Sequence, residues 1–342
     1  MTTNDTTAAE AATDTAADAV VDDVPVDAPV DGMGPFTRRA VGIRFILGEK
    51  PLFQVNLPML RCESHFTQWP AGLPTCIRWD RVPPRVQGVL LRSCPIEDDL
   101  PRLSRVGQAI RYVPQQYPRF FADLTLGWPG YLDHFTPAAI KGIRYEVRRF
   151  ARLHGLAMPR SFRRPEEMAE FYRLARAVSR TTYQERLLRC GLPEGEAFEE
   201  QLRQRAQADE VRGFVLMDGQ RPVAYSYCLH INGLVLSQFL GYDSAYARLS
   251  PGTVLMFGVM EHLLAEGRCR LFDFGQGFSQ YKKLFSTGST RCADVYYLRR
   301  TLKNALLVRL HSGMDCLSTH AGNVLHRIGL KTKLKKWLRQ AA

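Results

Sequence analysis

The stretch VRGFVLMDGQRPVAYSYCLHINGLVLSQFLG, residues 211–241, decides the fold. Three apolar runs of strand length are separated by Asp218-Gly219 and by Asn232-Gly233. Tight β-hairpin turns favour these dipeptides, because their central residues need a positive φ. The stretch therefore predicts an antiparallel meander of three strands, at 211–217, 222–230 and 234–241.

The segment after the meander predicts a crossover between parallel strands. Ser250-Pro251-Gly252 is typical of a helix start, a helical pattern covers 252–266, and Gly267 ends it. An apolar run at 269–274 predicts the next strand, and 294–299 predicts another. A helix of this length joins neighbouring strands that run parallel, and mixed sheets bind cofactors at such a point.

The upstream half mixes strand and helix patterns. Apolar runs at 41–47 and 86–93 predict strands. Helical patterns follow, and the one at 137–154 has clear signals, because Thr136 can cap it and Pro137 fits its first turn. The predicted helices cover 97–112, 137–154, 166–188 and 194–208. The order of elements predicts an α+β (mixed α/β) chain in which helices flank a mixed sheet.

Charge is unevenly distributed along the chain. Residues 1–34 contain eight acidic residues, no basic residue and no aromatic one. Such a segment cannot bury enough apolar surface to offset its ordering entropy, so we predict that 1–34 is disordered. With these eight negative charges set aside, the formal net charge of +12 corresponds to +20 on residues 35–342. A body this basic is expected to attract a polyanion, although a positive surface can also serve solubility alone.

Cysteines and apolar runs indicate a cytoplasmic protein without a structural metal. The eight cysteines include no C-x-x-C pair, which argues against both a disulfide framework and a zinc site. No run reaches the roughly eighteen apolar residues of a membrane span. The acidic N-terminus lacks the basic and apolar regions of a secretory signal.

The turn before the helix at 252–266 is a candidate anion site. Ser250 is placed to cap the helix, and the N–H groups of Gly252 and Thr253 have no partner within a helix that begins there. With the helix dipole they predict a phosphate site, and Arg248 supplies a positive charge beside it. Because Ser-Pro-Gly is also a common helix start, a purely structural role is the alternative.

A second candidate site lies in LFDFGQGFSQYKKLF, residues 271–285. Asp273 comes at the end of a strand, and two glycines then let the chain turn sharply and approach a ligand. Tyr281 and Lys282 follow in the next turn. A carboxylate, a phenol and an ammonium group near one strand end suit proton transfer to and from an amine and a thiol. In the alternative interpretation, Asp273 caps a turn, Tyr281 is a core residue and Lys282 is an ordinary surface lysine.

Four stretches in order carry a family resemblance: Tyr131-Leu132 with the arginine-rich helix through Arg148-Arg149, Arg221-Pro-Val-Ala-Tyr-Ser-Tyr, Gly241-Tyr-Asp…Tyr246…Ser250-Pro-Gly-Thr253, and Phe272-Asp-Phe-Gly-Gln-Gly…Tyr281-Lys282…Phe285. Together they resemble GNAT-superfamily acyltransferases of the CelD type, which carry a BioF-like acetyltransferase domain. That family is similar in architecture to the FemAB aminoacyl transferases of peptidoglycan cross-bridge synthesis. The resemblance covers about 130–300, roughly half of the chain.

The resemblance implies a GNAT fold, with tandem GNAT-like halves that each have a central mixed sheet flanked by helices. Four segments follow from it and from the composition. These are a disordered acidic tail at 1–34, a degenerate GNAT-like half at 35–150, a GNAT-like acyltransferase domain at 151–300 and a basic helical tail at 301–342.

The resemblance also implies where the donor binds. GNAT folds hold the donor pyrophosphate on backbone amides at the main helix start, from an R/Q-x-x-G-x-G/A sequence. Here that sequence reads Arg248-Leu-Ser-Pro251-Gly252-Thr253, and Pro251 removes one N–H donor where a glycine is usual. In FemAB-like members a lysine after an aromatic residue, here Tyr281-Lys282, holds a charged intermediate or a phosphate. The family's second acidic residue is missing, and Phe278 and Ser279 occupy that region.

The function implied is N-acyl transfer from acyl-CoA, such as acetyl-CoA, to an amine of a small molecule, an amino sugar or an envelope precursor. The amine attacks the thioester directly, and catalysis comes from positioning and from a donor at the oxyanion, with 236–240 lining the carbonyl. The catalytic candidates are Asp273, Tyr281 and Lys282, and the donor-binding candidates are Arg248, Ser250, Gly252 and Thr253. No metal and no DNA are expected.

Two other functions remain open. A FemAB-like enzyme would take its acyl group from aminoacyl-tRNA, with the helix at 137–154 and the basic tail as the tRNA surface. A non-catalytic module would only bind a partner or a membrane.

The C-terminal tail has a basic amphipathic pattern. Residues 299–342 contain ten basic residues and one acidic residue, Asp315. Apolar residues of 322–340, including Trp337, can share one helix face. Such a helix either makes a peripheral contact with an anionic membrane or packs its apolar stripe on the body of the protein.

Overall fold

The computed structural model describes residues 19–26, 28–30, 33–47, 50–62, 64–69, 72–182 and 191–327. The strands are β1 (Ala19–Val26), β2 (Phe36–Leu47), β3 (Lys50–Cys62), β4 (Gly88–Pro95), β5 (Leu103–Val106), β6 (Ala109–Tyr112), β7 (Gln116–Asp123), β8 (Arg160–Phe162), β9 (Val211–Asp218), β10 (Arg221–Ile231), β11 (Leu234–Tyr242), β12 (Leu271–Gln276) and β13 (Gly288–Arg299). The helices are α1 (Gly127–Asp133), α2 (Pro137–His154), α3 (Met168–Ser179), α4 (Glu196–Gln207), α5 (Pro251–Glu266), α6 (Gln280–Phe285) and α7 (Leu302–Arg327).

The chain forms two compact units. The first unit contains Tyr117–Thr290, and the second contains the described residues up to Gln116 together with those from Arg291 onward. The domain boundary at residue 150 stays a prediction, and α1 and α2 belong to the first unit. The reason is packing, since Tyr131 of α1 and Phe150 of α2 are fully buried in the same core as α5.

The first unit is built on a mixed sheet with the strand order β7-β12-β11-β10-β9-β8. Strands β9, β10 and β11 form the predicted antiparallel meander, and Gly219 and Gly233 take positive φ values in its two turns. Strands β11 and β12 pair in parallel, and α5 is the crossover that joins them. The predicted meander and the predicted crossover are both confirmed.

Alternate residues of the meander strands serve two cores. Ala224 and Cys228 of β10 belong to a core shared with α1, α2 and α5, whereas Tyr225 and Tyr227 belong to a core shared with α3 and α4. Helix α5 is apolar on nearly every side, and fully burying one of its large side chains contributes about 1.5–3 kcal/mol. Its Gly258 is needed because a Cβ there would lie 2.3 Å from Cδ of Pro159.

The second unit has a sheet in which β1, β2, β3, β4 and β13 are neighbours in that order, and the β5–β6 hairpin pairs with β13 through β6. Strands β3 and β4 are parallel and the other recorded pairs are antiparallel. Helix α7 packs on β2. The predicted strands at 41–47 and 86–93 are confirmed as parts of β2 and β4.

Two predictions for this unit are wrong. Residues 97–112 were expected to form a helix, but Gly107 takes φ +55° and reverses the chain between β5 and β6. Residues 19–26, expected to be disordered, form β1 and pair with β2, because this stretch, unlike the tail as a whole, contains four valines, which favour strands. Val30 is also buried in the core of this unit. Residues 1–18, 27, 31 and 32 of the segment predicted to be disordered lie outside the described residues.

The helices predicted at 137–154, 194–208 and 252–266 are confirmed as α2, α4 and α5. The helix predicted at 166–188 is confirmed over Met168–Ser179 as α3, but it ends there, since residues 180–182 form a turn and residues 183–190 lie outside the described part. None of the described helices is long and apolar enough to cross a membrane.

Candidate active site

The parallel ladder between β11 and β12 is short. It ends at the pair Leu236–Asp273, although β11 continues to Tyr242 and β12 to Gln276. On the other edge of β11 the register with β10 shifts, so that Gln238 is an extra residue between the pairs Tyr227–Phe239 and Cys228–Ser237. A β-bulge bends the strand and re-aims its backbone groups, and bulges are frequent beside active sites. The ladder therefore ends within two residues of a bulge.

Asp273, at the end of this ladder, is a buried carboxylate paired with Arg119 of β7. Nε of Arg119 lies 3.2 Å from Oδ1 and 3.0 Å from Oδ2 of Asp273, and Nη2 lies 2.5 Å from Oδ2. The Gly275 N–H donates to Oδ1 at 2.8 Å. The Asp273 side chain is 1% exposed and that of Arg119 is 14% exposed. These hydrogen bonds can hold the turn that follows β12 in a fixed position.

Lys282 of α6 places its ammonium group beside the same turn. Gly275 has φ +78°, a left-handed conformation that favours glycine, and a Cβ there would lie 4.0 Å from Nζ of Lys282 and 3.8 Å from the Ser237 carbonyl oxygen. Nζ of Lys282 donates to the carbonyl oxygen of Gln276 at 2.5 Å. The cation therefore lies close to the bulged part of β11.

Burial changes the acidity of this lysine. The Lys282 side chain is 5% exposed, whereas the neighbouring Lys283 is exposed. Removal from water lowers the pKa of Lys282 to about 8, the Asp273 carboxylate opposes this shift, and Arg119 adds to it. Lys282 is therefore not an ordinary surface lysine.

Tyr281 is half-buried and packs against the core shared with α5. Its ring centroid lies 6.4 Å from that of Phe274, and burial raises the pKa of Tyr281 far above its ordinary value. The side chain is thus a neutral phenol at physiological pH. Its role as a proton donor stays a prediction.

The start of α5 differs from the expected anion site in two respects. Ser250 has φ 48° and ψ 47°, in the left-handed region, and its side chain makes no capping hydrogen bond, so the predicted cap is wrong. Its carbonyl oxygen instead accepts from the N–H of Thr253 at 2.9 Å and from that of Val254 at 3.1 Å. Because Pro251 has no N–H, Gly252 retains the amide best placed for a ligand in this first turn. The Thr253 amide can therefore donate to a phosphate, as predicted, only after its hydrogen bond to the Ser250 carbonyl oxygen is broken.

Arg248 is exposed just before this helix, and its backbone is held by α2. Nη1 of Arg149 donates to the carbonyl oxygen of Arg248 at 3.0 Å. The basic face of α2 continues from this point, where Arg148 and Arg152 line a shallow depression of about 550 Å³. The described structure thus places the Arg248 turn next to a positively charged helix face.

Two residues of this site were missed by sequence reasoning. Gln238 had a local signal, since Ser237-Gln238 interrupts the apolar strand 234–241 with two polar side chains. Arg119 had none, because it lies 154 residues before its partner Asp273.

Residues 138–283 match the family model described as an acetyltransferase (GNAT) domain. No curated protein matches the chain by sequence. The chain is also similar in fold to solved structures at low sequence identity.

Three of these structures illustrate the range. FemX is 8% identical, with a TM-score of 0.46 over 82% of this chain and 88% of FemX. The C-terminal domain of a putative lysylphosphatidylglycerol synthetase from Agrobacterium fabrum is 12% identical, with a TM-score of 0.44 over 66% of this chain and 72% of that one. A GCN5-related N-acetyltransferase from Kribbella flavida is 11% identical, with a TM-score of 0.36 over 85% of this chain and 95% of that one.

The mixed sheet, the crossover helix and the family match together confirm the predicted α+β class with a GNAT fold. The CelD type and the tandem halves stay predictions. Residues 138–283 are thus similar to a GNAT-type acetyltransferase domain.

Proposed function

We propose that this protein is an N-acyltransferase that moves an acyl group from an acyl-CoA, such as acetyl-CoA, to an amine of a small molecule, an amino sugar or an envelope precursor. The observation that carries this proposal is the bulge at Gln238, which lies where the β11–β12 ladder ends and beside the buried Lys282. Backbone amides freed from a ladder at such a place can donate to an acyl carbonyl.

The reaction needs only positioning, charge stabilisation and proton transfer. The amine nitrogen attacks the thioester carbonyl carbon, and the developing oxyanion is stabilised by amides of 236–240 and by the cation of Lys282. The intermediate collapses with cleavage of the C–S bond. The amine nitrogen gives its proton to water, and the CoA sulfur leaves as a thiol after taking a proton, for which Tyr281 is the proposed donor. The Tyr281 phenolate then regains a proton from water, so that no net proton is consumed.

Asp273 has a positioning role in this proposal. Its two oxygens are engaged by Arg119 and by the Gly275 amide, so it fixes the turn that carries Lys282 towards β11. Arg119 neutralises the carboxylate, which keeps Asp273 from raising the pKa of Lys282 as far as it otherwise would.

The donor would lie between β11 and the start of α5. Arg248 is exposed and can reach a phosphate, and Gly252 offers an amide at the positive end of the helix dipole. Gly252 has room, because the nearest atom to a Cβ built there is Cδ1 of Tyr242 at 3.7 Å.

Aminoacyl-tRNA is the second candidate donor. The observation that favours it is the weakened phosphate cradle, in which Pro251 lacks an N–H and the Thr253 amide is bonded to Ser250. The arginines of α2 beside Arg248 would then contact tRNA phosphates.

Calorimetric titration separates these donors. The purified chain is titrated with acetyl-CoA and with longer acyl-CoAs at physiological salt, and with tRNA over a range of salt concentrations. Micromolar acyl-CoA binding, with thiol release when a panel of amines is added, supports the proposed function. Absence of acyl-CoA binding together with tRNA binding that weakens steeply with salt would replace it with the aminoacyl transfer reaction. Absence of both would leave a non-catalytic binding module.

A further inference from the structure

Helix α7 docks on the second unit through one face only. Asn304 and Val308 are 0% and 1% exposed. Nε2 of His311 donates to the carbonyl oxygen of Arg44 at 2.8 Å, and its Nδ1 accepts from the hydroxyl of Tyr112. These contacts fix the rotation of the helix about its axis, so its opposite face is directed away from the core of this unit.

The opposite face carries a row of exposed leucines, here called the leucine row. Its spacings of four, four and seven residues place all its members within about 80° of one another on a helix with 3.6 residues per turn. The members are Leu302, Leu306, Leu310 and Leu317, with exposures of 92%, 60%, 57% and 68%. A contiguous exposed apolar row on a soluble helix marks an interaction surface rather than a packing face.

Positive charge borders this row. Lys303 and Arg309 lie on either side of it by helical position, and both are exposed. The acidic residue of the helix, Asp315, lies on the docked side and forms an ion pair with Arg102. The outer face of α7 therefore carries leucines and cations, whereas the Asp315 carboxylate lies on the docked side.

The charges around the leucine row argue against three of its possible binding partners. A symmetric contact with a second copy of the chain would bring the Lys303 and Arg309 cations of one copy against those of the other. Residues 328–342 carry five basic residues and no acidic one, so docking of that segment on the row would also oppose like charges. Nucleic acid would pair with the cations but would leave the leucines without an apolar partner.

We propose that the leucine row of α7 binds the surface of an anionic lipid membrane. The leucine side chains enter the boundary between the head groups and the acyl chains, and Lys303 and Arg309 pair with lipid phosphates. This surface precedes the segment 322–340, for which the sequence left both membrane contact and packing on the body of the protein open, and whose residues from 328 lie outside the described part. The proposal does not depend on the acyl-transfer reaction.

The test uses the full chain and vesicle flotation. Phosphatidylcholine vesicles with and without phosphatidylserine are compared at low and high salt. We expect the chain to float with the phosphatidylserine vesicles, to do so less at high salt, and to stay unbound with phosphatidylcholine alone. Replacing two leucines of the row, Leu306→Gln with Leu310→Gln, is expected to weaken partitioning about 100-fold, or about tenfold for each leucine.

A matched control comes from the first unit. Leu153 and Leu156 are 61% and 65% exposed, so Leu153→Gln with Leu156→Gln removes the same amount of exposed apolar surface elsewhere. We expect this variant to bind vesicles as the unchanged chain does. Circular dichroism must show that both variants keep their helix content, since the row faces away from the core.

Three results would overturn the proposal. The first is equal vesicle binding by the α7 variant and the control. The second is binding that depends entirely on residues 328–342 and is unaffected by the leucine substitutions. The third is a dimer in sedimentation velocity that the α7 variant abolishes while vesicles bind neither protein.

Discussion

Replacing the buried Lys282 with methionine is expected to stabilise the protein at neutral pH. The folded pKa of about 8, against an ordinary value of 10.5, means that the folded state disfavours the ammonium form by about 3 kcal/mol. Methionine has a similar length and no charge, but it loses the hydrogen bond to the Gln276 carbonyl, which is worth about 1 kcal/mol. We therefore expect Lys282→Met to raise the free energy of unfolding by about 2 kcal/mol near pH 7.

The pH dependence of the free energy of unfolding separates the cost of burying the Lys282 ammonium group from the contribution of its hydrogen bond to the Gln276 carbonyl. Below about pH 8 both the folded and the unfolded wild-type chains keep the lysine proton, so the penalty is fully present. Between about 8 and 10.5 the folded chain releases the proton while the unfolded chain retains it, so wild-type stability rises with pH. The stability difference between Lys282→Met and wild type is expected to shrink by about 3 kcal/mol across this window.

Urea unfolding of both proteins at several pH values from about 7 to about 10.5 measures this difference. Lys283→Met is the control, since its side chain lies exposed on the same helix and should show no comparable pH-dependent gap. A gap between Lys282→Met and wild type that does not change with pH would refute the reasoning. So would a net loss of stability in Lys282→Met near neutral pH.

Three further outcomes are expected. Asp273→Asn leaves the Arg119 cation without its buried counter-ion and should lower the free energy of unfolding by about 3–5 kcal/mol, measured by urea unfolding. Tyr281→Phe preserves the ring in the core but removes the proposed proton donor, so kcat should fall about 100-fold with little change in melting temperature. Arg248→Ala removes an exposed cation beside the start of α5, so the KM for acyl-CoA should rise about tenfold with kcat largely unchanged.

Two of these outcomes have a matched comparison. Asp80→Asn breaks an ion pair with Arg78 whose side chains are 65% and 45% exposed, and it should cost far less than Asp273→Asn. Arg300→Ala removes another exposed cation and should leave the KM for acyl-CoA unchanged. Equal effects within either pair, or a Tyr281→Phe enzyme with full kcat, would contradict the assigned roles.

Local signals account for the parts of the fold that the sequence predicted correctly. Asp218-Gly219 and Asn232-Gly233 encode their own turns, and Thr136 caps α2 through its side-chain oxygen, which accepts from the Ala139 N–H at 3.2 Å. These features act over a few residues, so no knowledge of the remaining chain is needed to find them.

Long-range pairing accounts for the error at residues 97–112. Residues 97–112 have an acceptable helical pattern, but Tyr112 lies opposite Tyr296 in the ladder between β6 and β13. A partner so distant in sequence leaves no local trace, and tertiary pairing overrides the weak helical preference.

In the candidate site, too, local patterns indicated some residues, whereas others depend on long-range pairing. The sequence indicated Asp273 and Lys282 as candidates, since the two glycines between them predict a sharp turn that can approach a ligand. Only the family resemblance singled out Lys282, because the adjacent Lys283 looks the same in the sequence until the direction of α6 buries one lysine and exposes the other. The Arg119 partner depends on the pairing of β7 with β12, which no local pattern indicates.

The path of the chain has a consequence for biosynthesis. The first unit is inserted in sequence between the two parts of the second unit. Strand β4 can therefore pair with β13 only after β13 has been synthesised. The Ser93 amide likewise lies 201 residues from the Asp294 carboxylate that accepts its hydrogen bond. A ribosome therefore delivers all of Tyr117–Thr290, an uninterrupted segment, before the second unit can close its sheet. The edge of β4 stays without this partner during that interval, which makes nascent chains stalled before residue 291 the species most in need of chaperone protection.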